Sequence, residues 1–258
     1  MTADRALILD CDGVLADTER DGHLVAFNRA FAELGYDIAW SEHEYQALLA
    51  VGGGKERLRS YLDGQPEIEF STASDRDEAI ATLHRRKTEI YVAMVEEGAL
   101  PARPGVRRLV EEALADGWQV AVASTSSVAS VEAVLRTVVG RDTASQVSGV
   151  FAGDVVPAKK PAPDIYDLAR RELGRRRDEA VVIEDSAAGA LAANRAGLAY
   201  LVTVSSFTGD DAFPGAVSVL DHLGEPDAPA TVLAGADVRS GQGVVDVASL
   251  AAVLRHGA

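Results

Sequence analysis

Apolar and polar positions divide the chain into two kinds of pattern. The run Ala6-Leu7-Ile8-Leu9 has no polar face and is too short for a helix, so it predicts an interior β-strand. Asp10 and Asp12 then fall at its carboxyl end, where open α/β sheets place their ligands. From about residue 18 to residue 100 the spacing is helical. Leu24, Phe27, Phe31 and Leu34 share one face, and Gly35 is placed to end that helix. Ser41-Glu42-His43-Glu44 carries the capping-box pattern, and Ser74 is a candidate cap for a long helix with Ile80, Leu83, Ile90 and Met94 turned inward. Pro101, Pro104 and Gly105 close this block.

Beyond it, short apolar strands alternate with helices. Helices are predicted around 106–114, 128–138, after Pro163 and up to Ala196; strands over 118–123, at Gly149-Val150-Phe151-Ala152-Gly153-Asp154, over 180–185 and at 198–204. Such alternation predicts a Rossmann-like, doubly wound parallel sheet with helices on both faces. The first strand joins that sheet, so residues 1–18 and 101–258 form one α/β core and residues 19–100 an inserted α-helical cap. After about Gly209 the signals weaken to a strand at 217–220 and a last helix near 245–254.

Composition narrows the possible partners. A chain of 258 residues, 47% hydrophobic, can bury a full core and a smaller unit beside it. No apolar run approaches the roughly 20 residues that span a bilayer, and residues 1–10 lack a basic segment followed by an apolar one. A cytoplasmic, monomeric protein without a membrane partner is expected. Cys11 stands alone, which rules out an internal disulfide and argues poorly for zinc. The net charge of −15 opposes binding to nucleic acid, so an anionic substrate requires a local basic cluster.

The ends of the predicted strands carry the chemistry. Asp10 and Asp12 follow the first, Ser124 the second, Lys160 lies beyond the third, and Glu184 with Asp185 closes the fourth. Taken singly, these residues are a turn, a helix cap, a solvated lysine and a second cap. Converging in one crevice, they are the parts of a phosphoryl-transfer site. Asp10 is the candidate nucleophile. Asp12, repelled by its neighbour, is expected to have a raised pKa and to hold a proton for the leaving alcohol. Mg2+ fits the oxygen donors: the Asp10 carboxylate, the Asp12 backbone carbonyl, Glu184 and Asp185. Lys160 would offset charge on the phosphoryl oxygens, while Ser124 and backbone N–H groups bind them.

The segments "DCDGV", "ASTS", "KKPAPDIY" and "IEDSAAGA" resemble the four ordered motifs of the haloacid dehalogenase superfamily, and the helical insert resembles its first class of cap domain. The resemblance implies an aspartyl-phosphate at Asp10, an acid/base at Asp12, phosphate binding by Ser124 and Thr125, the motif lysine at Lys160, and metal binding at Glu184 and Asp185. Asp12 points toward phosphate esters and away from halides.

Substrate choice is expected to lie in the cap, which excludes water as it closes. "GGGKER" offers Lys55 and Arg57 behind three glycines able to bring backbone near an anion, and "LHRRKTEIY" offers Lys87 with Arg85 and Arg86. With "DTERDGH" and "LPARPGV", these segments resemble the CbbY-type sugar phosphatases, which are similar to β-phosphoglucomutase in fold but hydrolyse xylulose 1,5-bisphosphate, a Rubisco inhibitor. That resemblance implies substrate contacts from Glu19, His23, Lys55, Arg57 and Lys87. His23 stands one position later, relative to the glutamate, than in the bacterial pattern. Three readings follow: a Mg2+-dependent sugar-bisphosphate phosphatase whose expected small phosphorylated sugar substrate is xylulose 1,5-bisphosphate, a phosphomutase of the β-phosphoglucomutase kind, and a non-catalytic sugar-phosphate-binding protein. Intact Asp10, Asp12, Lys160 and Asp185 argue against the last.

Overall fold

The computed structural model describes residues 4–65, 68 and 72–256. Its centre is a seven-stranded sheet in the order β3-β2-β1-β4-β5-β6-β7, with β1 at Ala6–Leu9, β2 at Gln119–Ser124, β3 at Gly149–Ala152, β4 at Ala180–Glu184, β5 at Ala199–Thr203, β6 at Ser218–Leu220 and β7 at Val232–Gly235. All neighbouring pairs are parallel except β6 and β7. From β1 the chain winds outward through β2 and β3, then returns to β4 on the other side. The ends of β1, β2 and β4 therefore share one crevice.

The doubly wound arrangement explains the unbroken apolar strands. Leu7 and Leu9 face one cluster with Val120, Val122, Val181 and Ile183, while Ala6 and Ile8 face a second with Ala121, Ala123, Ala180 and Val182. Each side of the strand meets helices, so no position is left for a polar residue. The first face is covered by α5 at Val106–Ala115, α6 at Val128–Val139 and α10 at Val247–His256; the second by α8 at Asp164–Glu172 and α9 at Ala187–Arg195. A short α7, Arg141–Ala144, follows α6.

Between β1 and α5 the chain forms a π-helical turn at Glu19–Leu24, then α1 at Val25–Glu33, α2 at Glu42–Leu48, α3 at Gly54–Asp63 and α4 at Ala73–Glu96. These helices enclose an aromatic cluster in which Trp40 stands 4.9 Å from both Phe27 and Phe31 between ring centroids. The capping box at Ser41 and Glu44 is formed. The long helix α4 is capped two residues earlier than expected, because the Thr72 hydroxyl rather than Ser74 accepts from the Asp75 N–H. Leu34, expected inward, is exposed after the end of α1. The last turns of α4 leave the aromatic cluster, and Ile90, Tyr91, Met94 and Val95 pack with the sheet.

The edge strand β7 has no counterpart among the sequence expectations. Its Val-Leu-Ala-Gly run is mostly exposed and lacks the β-branched density of the central strands. In the helical block, Phe31→Ala removes a fully buried ring and is expected to cost about 3–5 kcal/mol. In a Trp118→Phe background, Trp40 fluorescence follows that block during denaturation; an unchanged Trp40 transition would contradict this packing.

Candidate active site

A cavity of about 370 Å3 lies where the strand ends face the helical block. Asp10, Asp12, Ser124, Thr125, Lys160 and Asp185 line it from the sheet side; Glu19, His23, Arg57 and Lys87 line it from the helices. Ten of the predicted site residues thus meet in one place. Glu184 lies behind the wall. Lys55 does not reach the cavity, which corrects its expected role: it is half exposed and pairs with Asp154 at 2.7 Å. Arg86 likewise pairs with Glu33 and Glu89. Adjacent positions on a helix diverge by about 100°, so Lys87 is buried while Arg85 is exposed.

Lys160 holds the floor of the site. Its ammonium donates to Asp10 Oδ1 at 2.5 Å, to Glu184 Oε1 at 2.6 Å and to the Ala123 carbonyl at 3.0 Å, which uses all three of its N–H bonds. Burial opposes its charge, yet Asp10 and Glu184 hold its pKa well above the ordinary lysine value. Glu184 also accepts from the Tyr166 hydroxyl and from the Asp185 N–H. Burial pushes the Asp10 carboxyl up to about 8 against the pull of Lys160, and the charges of Glu184 and Asp12 push the same way. Asp185 is raised well above the carboxylate range by burial, then by Glu184 and Asp10, although Ser205 donates to it at 2.7 Å. Gly13, at φ +80°, lets the loop after β1 lie against that acid: a Cβ there would stand 2.0 Å from Asp185 Oδ2.

Asp12 departs from expectation. Burial does push its pKa upward, but His23 beside it and the hydrogen bonds that His23, Ser126 and Thr18 donate outweigh burial and hold the carboxyl well below its usual range. Thr18 Oγ1 and His23 Nε2 meet Oδ1 at 2.6 and 2.8 Å, and Ser126 Oγ meets Oδ2 at 2.5 Å. Lys87 Nζ stands 2.7 Å from His23 Nδ1, so the ammonium donates there and the Nε2–H donates onward to Asp12. The π-helical turn makes this possible. His23 N–H bonds back five residues to the Thr18 carbonyl at 2.7 Å, the wider turn of a π-helix.

Farther along the helical wall, Arg57 donates to the Tyr45 hydroxyl at 2.7 Å, Tyr45 donates to Glu19 at 2.5 Å, and Arg57 stands 3.8 Å from Glu19. Burial lowers the Lys87 ammonium to about 8, a shift limited by Asp12 and Glu19. The sequence reading missed Thr18, Tyr45, Ser126, Tyr166 and Ser205. Thr18 alone had a usable signal, a hydroxyl six residues beyond Asp12 at the entry to the helices; the others come together only in the fold.

The acids suit a hard divalent cation. Asp10, Glu184 and Asp185 each offer a carboxylate oxygen, all within 4.8 Å of one another and all buried. Three acids against one ammonium leave negative charge uncompensated, and a purely oxygen donor set favours Mg2+ over softer metals. The Asp12 side chain is turned away to its own partners, so its carboxylate stands apart from this donor set.

A carboxylate kept beside a fixed ammonium, with a second carboxylate suspended between sheet and helices, is an arrangement suited to phosphoryl transfer. Residues 5–197 match the haloacid dehalogenase-like hydrolase family, and the chain belongs to it; it is a phosphatase of that family. A CBBY-like protein of Arabidopsis thaliana is 45% identical over 227 residues, 87% of this chain and 71% of that protein. The crystal structure of a CbbY mutant from Rhodobacter sphaeroides in complex with xylulose 1,5-bisphosphate superposes with a TM-score of 0.78 at 41% identity, covering 86% of this chain and 95% of that one. A β-phosphoglucomutase of Mycobacterium tuberculosis is 32% identical over 212 residues, 75% of this chain and 78% of that protein.

The raised Asp10 carboxyl has a measurable consequence. Ligation requires its ionised form, so Mg2+ binding at about pH 7 is expected to release protons, with affinity climbing as pH rises toward about 8. A raised acid stabilises the cation-free fold fully below its ordinary value of 3.8 and loses that contribution as pH rises through about 8. Mg2+ should therefore raise the melting temperature most at the upper end of that window. Calorimetry in two buffers of different ionisation enthalpy reads the protons; binding without proton release would contradict the Asp10 shift.

Proposed function

We propose that the protein is a Mg2+-dependent sugar-bisphosphate phosphatase acting on xylulose 1,5-bisphosphate, with residues 19–100 as the cap and residues 1–18 and 101–258 as the catalytic core. A monomer working in the cytoplasm is part of the same proposal. The observation that carries it is the placement of cations at two walls of one cavity: Lys160 with Ser124 and Thr125 on the sheet side, Arg57 and Lys87 on the helical side. A bisphosphate needs both.

Asp10 Oδ attacks the phosphorus, the phosphorus–oxygen bond to the sugar breaks, and the departing oxygen takes a proton from Asp12. Water then attacks the phospho-Asp10 group, Asp12 takes its proton, and inorganic phosphate leaves with Asp10 restored. At rest Asp12 is ionised; the phosphate dianion brings negative charge beside it and favours the proton it must donate. Lys160 keeps Asp10 in position, while the His23 and Lys87 chain fixes the orientation of Asp12. A divalent cation held by Asp10, the Asp12 carbonyl and the acids at Glu184 and Asp185 would offset the charge between carboxylate and phosphoryl group. The β-phosphoglucomutase relative supports a second reading, in which the phosphate of phospho-Asp10 returns to a sugar hydroxyl.

Phosphate release with Mg2+ from xylulose 1,5-bisphosphate, ribulose 1,5-bisphosphate and β-glucose 1-phosphate separates them. Preference for the xylulose compound is expected, with Asp10→Asn slower by about a thousandfold or more. Glucose 6-phosphate formed from β-glucose 1-phosphate, with little release from any substrate, would establish the mutase instead. Arg57→Ala should raise KM for the bisphosphate by about 10- to 100-fold, because it strips a buried charge from the second phosphate; an unchanged KM would remove Arg57 from that role.

A further inference from the structure

Lys55, absent from the cavity, belongs to a chain of alternating charges across the seam between cap and core. Its Nζ stands 2.7 Å from Asp154 Oδ2, while Lys159 Nζ stands 3.0 Å from Asp154 Oδ1 and 3.0 Å from Glu56 Oε1. Lys55 and Glu56 lie in the first turn of α3, in the cap; Asp154 and Lys159 lie in the core loop after β3. Hydrogen bonds from Lys55 and Lys159 hold the Asp154 carboxyl down at about 2. The backbone approaches closely at the same place. A Cβ at Gly52 would stand 3.0 Å from the Lys160 carbonyl oxygen, and one at Gly53 would stand 2.8 Å from Lys159 Nζ. The glycines expected near an anion thus bring the cap against the lysine loop.

The chain also has a telling position in the sequence. Glu56 immediately precedes Arg57, and Lys159 immediately precedes Lys160. A cross-seam link therefore sits one residue away from a cation on each wall of the substrate cavity. None of the four groups lines that cavity, so they act by position.

We propose that Lys55, Glu56, Asp154 and Lys159 form a latch that holds the cap over Asp10 before substrate arrives, so that ionic strength sets how often the site opens. The proposal rests on the cap-and-core reading above. Lys55 and Asp154 side chains are 47% and 59% exposed, which leaves the latch open to screening by salt. Links of this strength are too weak to fix a fold, but they can bias an equilibrium between closed and open forms.

Small-angle X-ray scattering of the substrate-free protein reads closure directly. Between about 0.02 and about 0.5 M NaCl, over which the screening length falls several-fold, the radius of gyration of the wild type is expected to increase. Asp154→Ala should show the larger radius at both salt concentrations, and Asp154→Glu, which keeps the charge, should follow the wild type. In steady state at low salt, Asp154→Ala should raise KM about 3- to 10-fold without lowering kcat. Lys55→Ala breaks the same link from the exposed cap side and serves if Asp154→Ala does not fold. A radius and salt response in these variants matching the wild type would overturn the latch. Scattering needs no substrate, so an error in the proposed sugar phosphate leaves this test standing.

Discussion

The ammonium of Lys160 is the contact on which the rest of the site depends. It joins three neighbouring strands at their carboxyl ends: Asp10 after β1, Ala123 in β2 and Glu184 closing β4. Parallel strands present these groups side by side, and a sheet covered on both faces leaves them little access to water except through the cavity. Buried acids must be paired or neutral. One lysine cannot pair all of them, and the acids at Asp10, Glu184 and Asp185 are left with a need for positive charge that a divalent cation would meet.

Asp12 is governed by another set of partners. Thr18 and His23 reach it from the entry of the helical block and Ser126 from the loop after β2, and Lys87 supports His23 from α4. Asp12 is therefore held in part by the helical block, through His23 and Lys87, whereas Asp10 is oriented by the sheet alone. In the proposed mechanism, attack on phosphorus and proton transfer would depend in this way on different parts of the molecule. The π-helical turn at Glu19–Leu24 is where the two parts meet.

Much of this was legible because strand ends in a doubly wound sheet converge. Wholly apolar runs such as Ala6–Leu9 and 180–183 announce central positions, and the residues that follow them must share the crevice. Contacts made across long separations were not legible. Repulsion between Asp10 and Asp12 can be seen in the sequence, but hydrogen bonds from Thr18, His23 and Ser126 reverse its effect on Asp12. Tyr45 reads as one more apolar position in an amphipathic helix, yet its hydroxyl links Glu19 and Arg57. Lys55 and Lys87 look alike as basic residues in helices; one meets Asp154 at the seam and the other lies in the cavity wall. At β7 the run Val232–Gly235 is short and half of it is Ala and Gly, weak strand formers, so its sequence signals little.

The central claim is that Asp10, poised by Lys160, is the nucleophile. Rapid acid quench during turnover of xylulose 1,5-bisphosphate with Mg2+, followed by mass spectrometry of the peptide bearing Asp10, tests it most directly. The account predicts phosphate on Asp10, appearing before free phosphate accumulates and absent in Asp10→Asn. Turnover that proceeds with no phosphate on Asp10 at any quench time, or with normal rate in Asp10→Asn, would contradict it.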